Sequence, residues 1–183
     1  MLVLVVGPSG AGKDTLLEGA RQILGSDPRF HFIRRSITRP ADQGPERHEP
    51  LDEAAFEQRR AAGGFALTWR AHGLLYGVPA DITLHLEQGR VVVANVSRTV
   101  VAEAATRYRV RVIEVTAPPD LLARRLAARG REDALDAARR LARSVPMPAD
   151  ISKETVQNDG TIEQGVRRLV AALNRAAEAA RQS

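Results

Sequence analysis

Leu2-Val3-Leu4-Val5-Val6-Gly7-Pro8-Ser9-Gly10-Ala11-Gly12-Lys13-Asp14-Thr15 passes from an unbroken apolar run, through three glycines, to a lysine. The run Leu2 to Val6 is too short to cross a membrane and has no basic segment before it. It reads as a buried strand rather than a signal or a span. The glycines let the next stretch of backbone curl until successive N–H groups point inward, a concavity that suits phosphate oxygens. A helix beginning near Lys13 adds the partial positive charge of its N-terminus. Lys13 supplies a full charge for the β- and γ-phosphates of a nucleotide. A glycine-rich turn with an incidental lysine would not need this spacing between strand and helix. Gly7, Pro8, Ser9, Gly10, Ala11, Gly12, Lys13, Asp14 and Thr15 are therefore the expected ATP-binding residues, with Lys13 catalytic.

Outward from this stretch, apolar runs bounded by breakers alternate with helical stretches, the order of a parallel sheet covered by helices. The first helix is expected from about Lys13 to Leu24, closing near Gly25. Strands are expected at His31 to Ser36, Phe65 to Ala71, Leu74 to Val78, Val91 to Ala94, Val110 to Val115 and Thr155 to Gln157. Thr38 to Pro50 is polar, turn-rich and irregular. Further helices are expected at Leu51 to Ala62 with Asp52 as N-cap, from Pro118-Pro119 through Leu126, at Arg131 to Ser144, and from Thr161 to Arg181. The sum is one α/β domain over residues 1–183. Its core covers about 1–33, 88–123 and 149–183, with insertions at about 34–87 and 124–148.

A chain of 183 residues can bury a continuous core, and 44% hydrophobic with 27% charged residues is the balance of a soluble globular protein. It has no cysteine, which excludes disulfides and thiolate zinc sites and fits a reducing, cytoplasmic setting. A formal charge of +5 raises the question of nucleic acid. Yet the only lysines are Lys13 and Lys153, and aromatic residues are 4% of the chain, too few for base-stacking platforms. Anionic small substrates fit better than nucleic acid or a membrane. Oligomeric state is not legible.

One position departs from the usual phosphate-loop pattern. Ser or Thr normally follows the lysine and holds Mg²⁺; here Asp14 does, then Thr15. A carboxylate is a hard oxygen ligand for magnesium. It is also favoured in the first turn of a helix, so capping and metal binding are both open for Asp14. The strand Val91 to Ala94 bears on the choice. Comparable strands in P-loop enzymes end in an acid that orients magnesium, whereas here Asn95-Val96-Ser97-Arg98 follows. Asp14 would replace that acid.

Gly7 to Lys13, Thr38-Arg39, Tyr76-Gly77 and Arg125-Leu126-Ala127-Ala128-Arg129-Gly130 occur in the order of guanylate kinases, which the whole chain resembles. The resemblance implies a guanylate-kinase-like P-loop fold, a three-layer parallel sheet with helices on both faces, an acceptor-binding insertion and an arginine-bearing lid. Gly12-Lys13-Asp14, Arg35-Ser36-Ile37-Thr38-Arg39, Trp69, Asn95 to Arg98, Arg129-Gly130-Arg131-Glu132 and Asn158-Asp159-Gly160 are more similar to the ribose 1,5-bisphosphate phosphokinases of phosphonate catabolism. Members of that family use ATP to make 5-phosphoribosyl 1-diphosphate. Where guanylate kinases carry a guanine-reading Glu and Ser, this chain has Leu67 and Val78. Purine N–H groups against them would be unpaired, at about 1–3 kcal/mol each.

The resemblance implies Arg35, Arg39, Tyr76 and Arg98 as residues for a phosphorylated sugar, and Arg129 and Arg140 as catalytic lid residues. Asp14 is the candidate metal residue, and ATP and Mg²⁺ are the expected cofactors. Arg34 and Arg47 read as solvated loop; His48 is open between loop surface and site. His31 and His85 read as structural. A phosphate oxygen acting as nucleophile is already ionised, so no general base is expected. The competing classes are a nucleoside monophosphate kinase and a catalytically inactive, guanylate-kinase-like protein-binding module. Leu67 and Val78 argue against the first, the intact Gly12-Lys13 loop against the second.

Overall fold

The computed structural model describes residues 1–41, 47–127 and 151–182. Its central sheet has five parallel strands in the order β2-β7-β1-β8-β9: Phe30–Phe32, Val91–Asn95, Leu2–Val6, Val110–Thr116 and Lys153–Gln157. β1 is buried along its whole length because its two faces serve two cores. Val3 and Val5 join Leu16, Ala20, Ile113, Val115, Leu169 and Leu173 under the helices α1 (Lys13–Leu24) and α6 (Ile162–Arg181). Leu2, Leu4 and Val6 join Ile82, Val92, Ala94, Val101 and Val112 under α3 (Ile82–Glu87) and α4 (Val101–Arg107). A strand covered on both faces reads as a continuous apolar run rather than an alternating one. The result is the expected three-layer α/β architecture.

A second sheet of four strands, β4-β3-β6-β5, lies between β2 and β7 in sequence. Its strands are Ser36–Ile37 (β3), Glu49–Pro50 (β4), Phe65–Ala71 (β5) and Leu74–Pro79 (β6). β5 and β6 form a hairpin whose turn uses His72 at φ 52° and Gly73 at φ 74°. α2 (Glu53–Ala61) is N-capped by Asp52, whose carboxylate accepts from the Ala55 N–H at 2.7 Å. α5 (Pro119–Ala127) follows β8.

Three expectations need correcting. His31 to Ser36 is not one strand: the chain leaves the central sheet after Phe32 and enters the second at Ser36, crossing at Ile33-Arg34-Arg35. The stretch Thr38 to Pro50 is not wholly irregular, since Glu49–Pro50 pairs in parallel with Ser36–Ile37. The short helices α3 and α4 add to the expected set. The expected helix Arg131 to Ser144 lies outside the described residues. Among the described residues no helix is long and apolar enough to cross a membrane.

Candidate active site

The loop between β1 and α1 has left-handed backbone at Gly10 and Gly12, with φ 83° and 86°, and Gly7 at φ 150°. Two of these positions admit no side chain. A Cβ on Gly7 would lie 2.1 Å from the Val115 carbonyl oxygen, and one on Gly12 would lie 2.5 Å from Nδ2 of Asn158. The Lys13 ammonium donates to the carbonyls of Gly7 at 2.8 Å and Pro8 at 3.1 Å, folding the charge back over the loop. α1 begins at Gly12 with no side-chain cap, so the chain leaves this helix N-terminus for an anion.

Asn158 fastens the loop from behind. It is buried, its Nδ2 donates to the Ala11 carbonyl at 2.8 Å, and its backbone N–H donates to the Thr116 carbonyl at 2.7 Å. The loop is thus tied to the ends of both β8 and β9. From sequence this residue was legible only as part of the Asn158-Asp159-Gly160 resemblance, because its partner is 147 residues away.

Asp14 faces the end of β7. Its Oδ1 accepts from Nδ2 of Asn95 at 2.6 Å, and a guanidinium nitrogen of Arg35 lies 4.0 Å from the same oxygen. A carboxylate therefore stands beside the strand end that lacks its own acid. Its side chain keeps 32% exposure, which leaves it open towards the loop's ligand side. Magnesium bound with a nucleotide needs only one or two carboxylates, the remaining positions being phosphate oxygens and water. This donor set fits that requirement.

Arg35 joins the two sheets. It is buried, donates to the Asn95 carbonyl at 2.9 Å, and lies over the rings of Trp69 at 5.8 Å and Tyr76 at 5.5 Å. Trp69 and Tyr76 are cross-strand neighbours stacked at 5.3 Å with 6° between their planes. Cation–π contact and a carbonyl hydrogen bond fix the guanidinium at the junction of loop and second sheet. Leu67 and Val78, paired in the same ladder, are 1% and 0% exposed and belong to the core. They offer no polar group to a purine edge.

The structure brings Lys13, Asp14, Arg35 and Tyr76 to this junction. Arg39 lies two residues beyond β3, and its guanidinium donates to Nδ1 of His48 at 3.2 Å. His48 is buried, so it is not loop surface. Arg98, just beyond β7, makes an ion pair. Its guanidinium is engaged by Glu114, which Lys153 also approaches at 3.2 Å. Glu114 stands opposite Val6, the residue before the loop, so this ion pair flanks the cradle. Arg129 and Arg140 lie outside the described residues. His31, on β2, and His85, on α3, stack on each other at 3.5 Å.

The loop, its lysine and the arginine junction define a P-loop kinase of guanylate-kinase-like fold. The chain is 53% identical over 173 residues to a ribose 1,5-bisphosphate phosphokinase of Methylobacterium radiotolerans, covering 94% of this chain and 96% of that protein. A namesake from Agrobacterium fabrum is 46% identical over 178 residues, covering 96% and 97%. The chain belongs to the ribose 1,5-bisphosphate phosphokinase family. A family described as AAA domain matches residues 3–146. Among solved structures, a guanylate kinase from Anaplasma phagocytophilum superposes with a TM-score of 0.70 at 18% identity, over 97% of this chain and 86% of that one. That likeness speaks for the fold alone.

Proposed function

We propose that this chain transfers the terminal phosphoryl group of ATP to the 1-phosphate of ribose 1,5-bisphosphate, releasing ADP and 5-phosphoribosyl 1-diphosphate. The observation that carries the reading is Arg35, one buried guanidinium touching both the Asp14–Asn95 pair and the Trp69–Tyr76 platform. Phosphate donor and phosphorylated acceptor meet at such a point. Apolar Leu67 and Val78 and the relatives' names support a sugar bisphosphate over GMP.

In this reading an oxygen of the 1-phosphate, already ionised, forms a bond to the γ-phosphorus while the bond to the β–γ bridging oxygen breaks. ADP leaves with that electron pair. Lys13 and the loop N–H groups hold the donor phosphates; Arg35, Arg39, Tyr76 and Arg98 hold the acceptor. Arg129 and Arg140 neutralise the charge that spreads over the transferring group. Asp14 would hold Mg²⁺, which when bound draws charge from the β- and γ-oxygens. The reaction belongs to the cytoplasm, where ATP is made.

An ADP-release assay with ribose 1,5-bisphosphate and with GMP, followed by phosphorus NMR of the product, tests the acceptor. A diphosphate signal from the sugar is expected; turnover of GMP alone overturns the assignment. For the metal residue, Asp14→Asn is expected to weaken Mn²⁺·ATP binding in paramagnetic titration and to cut kcat by about tenfold or more. Unchanged metal affinity and magnesium dependence would exclude Asp14 as a ligand.

A further inference from the structure

We infer that His48 is a positioning residue for the acceptor, acting through Arg39; the inference rests on the acceptor role proposed above for Arg39. His48 lies just before β4, 2% exposed, and grips Arg39 at both ends. One ring nitrogen, Nε2, is 2.9 Å from the Arg39 carbonyl oxygen, and the other, Nδ1, is 3.2 Å from Nη2 of the same residue. A carbonyl only accepts and a guanidinium only donates. With Nε2 donating to the carbonyl and Nδ1 accepting from the guanidinium, one ring meets both ends of Arg39.

Such a clamp fixes backbone and side-chain tip of one residue against each other. An arginine has many rotamers, and selecting one before the substrate arrives removes that loss from the binding step. The clamp is itself anchored. Arg34 donates to the His48 carbonyl at 2.8 Å, and the Glu49 N–H donates to the Arg35 carbonyl at 2.8 Å. Glu49 is held in turn by the Ser36 hydroxyl at 2.6 Å and Arg59 at 2.7 Å. Residues 48 and 49 thus touch Arg34, Arg35 and Arg39 together.

The alternative is a buried histidine that only supports the β3–β4 connection. His48→Gln and His48→Leu separate the two, because glutamine can both donate to the carbonyl and accept from the guanidinium, while leucine can do neither. In His48→Leu the KM for ribose 1,5-bisphosphate should rise about tenfold, a loss of roughly 1.4 kcal/mol, with the KM for ATP unchanged. His48→Gln should recover most of that loss. Adding Arg39→Ala to His48→Leu should cost no more than Arg39→Ala alone. Acceptor and ATP KM values moving together, glutamine failing to rescue, or additive effects of the two residues would each overturn the role. Wild-type turnover is measured first. If GMP proves to be the acceptor, the same series is read with GMP, so a wrong acceptor and a passive His48 give different results.

Discussion

At Gly12 two demands coincide: a φ of 86° and the Asn158 amide 2.5 Å from where a Cβ would stand. Gly12→Ala must strain the backbone, at about 1–3 kcal/mol, and push Asn158 off the Ala11 carbonyl. Its kcat/KM for ATP is expected to fall by about tenfold or more, the equivalent of about 1.4 kcal/mol. ATP-dependent steady-state kinetics checks this, and wild-type values in the variant would show the loop to be more pliable than drawn. The glycine was legible from spacing alone, because the loop's needs are local. Asn158 was not, nor the Asp14–Asn95 contact, which spans 81 residues. A one-dimensional pattern names the residue types that chemistry requires; it does not say which distant amide will hold them. His48 was undecidable for the same reason, since its neighbours Glu46, Arg47 and Glu49 look like surface.

The two helices that pack against each other beneath β1 begin in opposite ways. α6 closes its own N-terminus with a capping box, in which Thr161 accepts from the Gln164 N–H at 3.3 Å and Gln164 returns the bond at 3.1 Å. α1 has Gly12 there and no side-chain cap. One helix satisfies its first N–H groups internally; the other offers them to phosphate. Thr161→Ala should therefore cost about 1 kcal/mol of stability. Urea denaturation should show the midpoint lowered with the slope unchanged, and activity on the folded enzyme preserved. Long elements such as these were readable because period and caps agree. α3 and α4, of six and seven residues, were missed since so few turns give little periodicity. The continuous reading of His31 to Ser36 failed where an extended chain passes from one sheet to another without a breaker residue.

Across the molecule, arginine–carboxylate pairs set the response to acid. Arg175, then Arg111, hold the Glu154 carboxyl below its ordinary 4.5, and the Ser36 hydroxyl with Arg59 does the same for Glu49. Their folded values are depressed, so the stability they confer is present above 4.5 and is lost as pH falls through the folded values. His31 acts earlier. Burial, then the neighbouring His85, depress it below 6.5, so folding favours the neutral ring. That contribution is complete above 6.5 and declines as pH drops below it, because the unfolded chain takes up the proton first. Calorimetry should give a Tm that is level near neutrality and falls in two stages on acidification. His31→Phe should remove the earlier stage only; an unchanged profile would show that the pair does not titrate in that range.

The place of β1 in the middle of the sheet has a consequence for synthesis. Its two neighbours are β7 and β8, which begin at residues 91 and 110. During translation at about 5–20 residues per second, Leu2 to Val6 waits roughly 5–20 s for strands to flank it. Throughout that wait a flat, apolar, β-branched segment has both edges bare, the kind of segment that pairs with other chains. The strand that carries the nucleotide loop at its end is thus a segment of the nascent chain that a chaperone would have reason to cover.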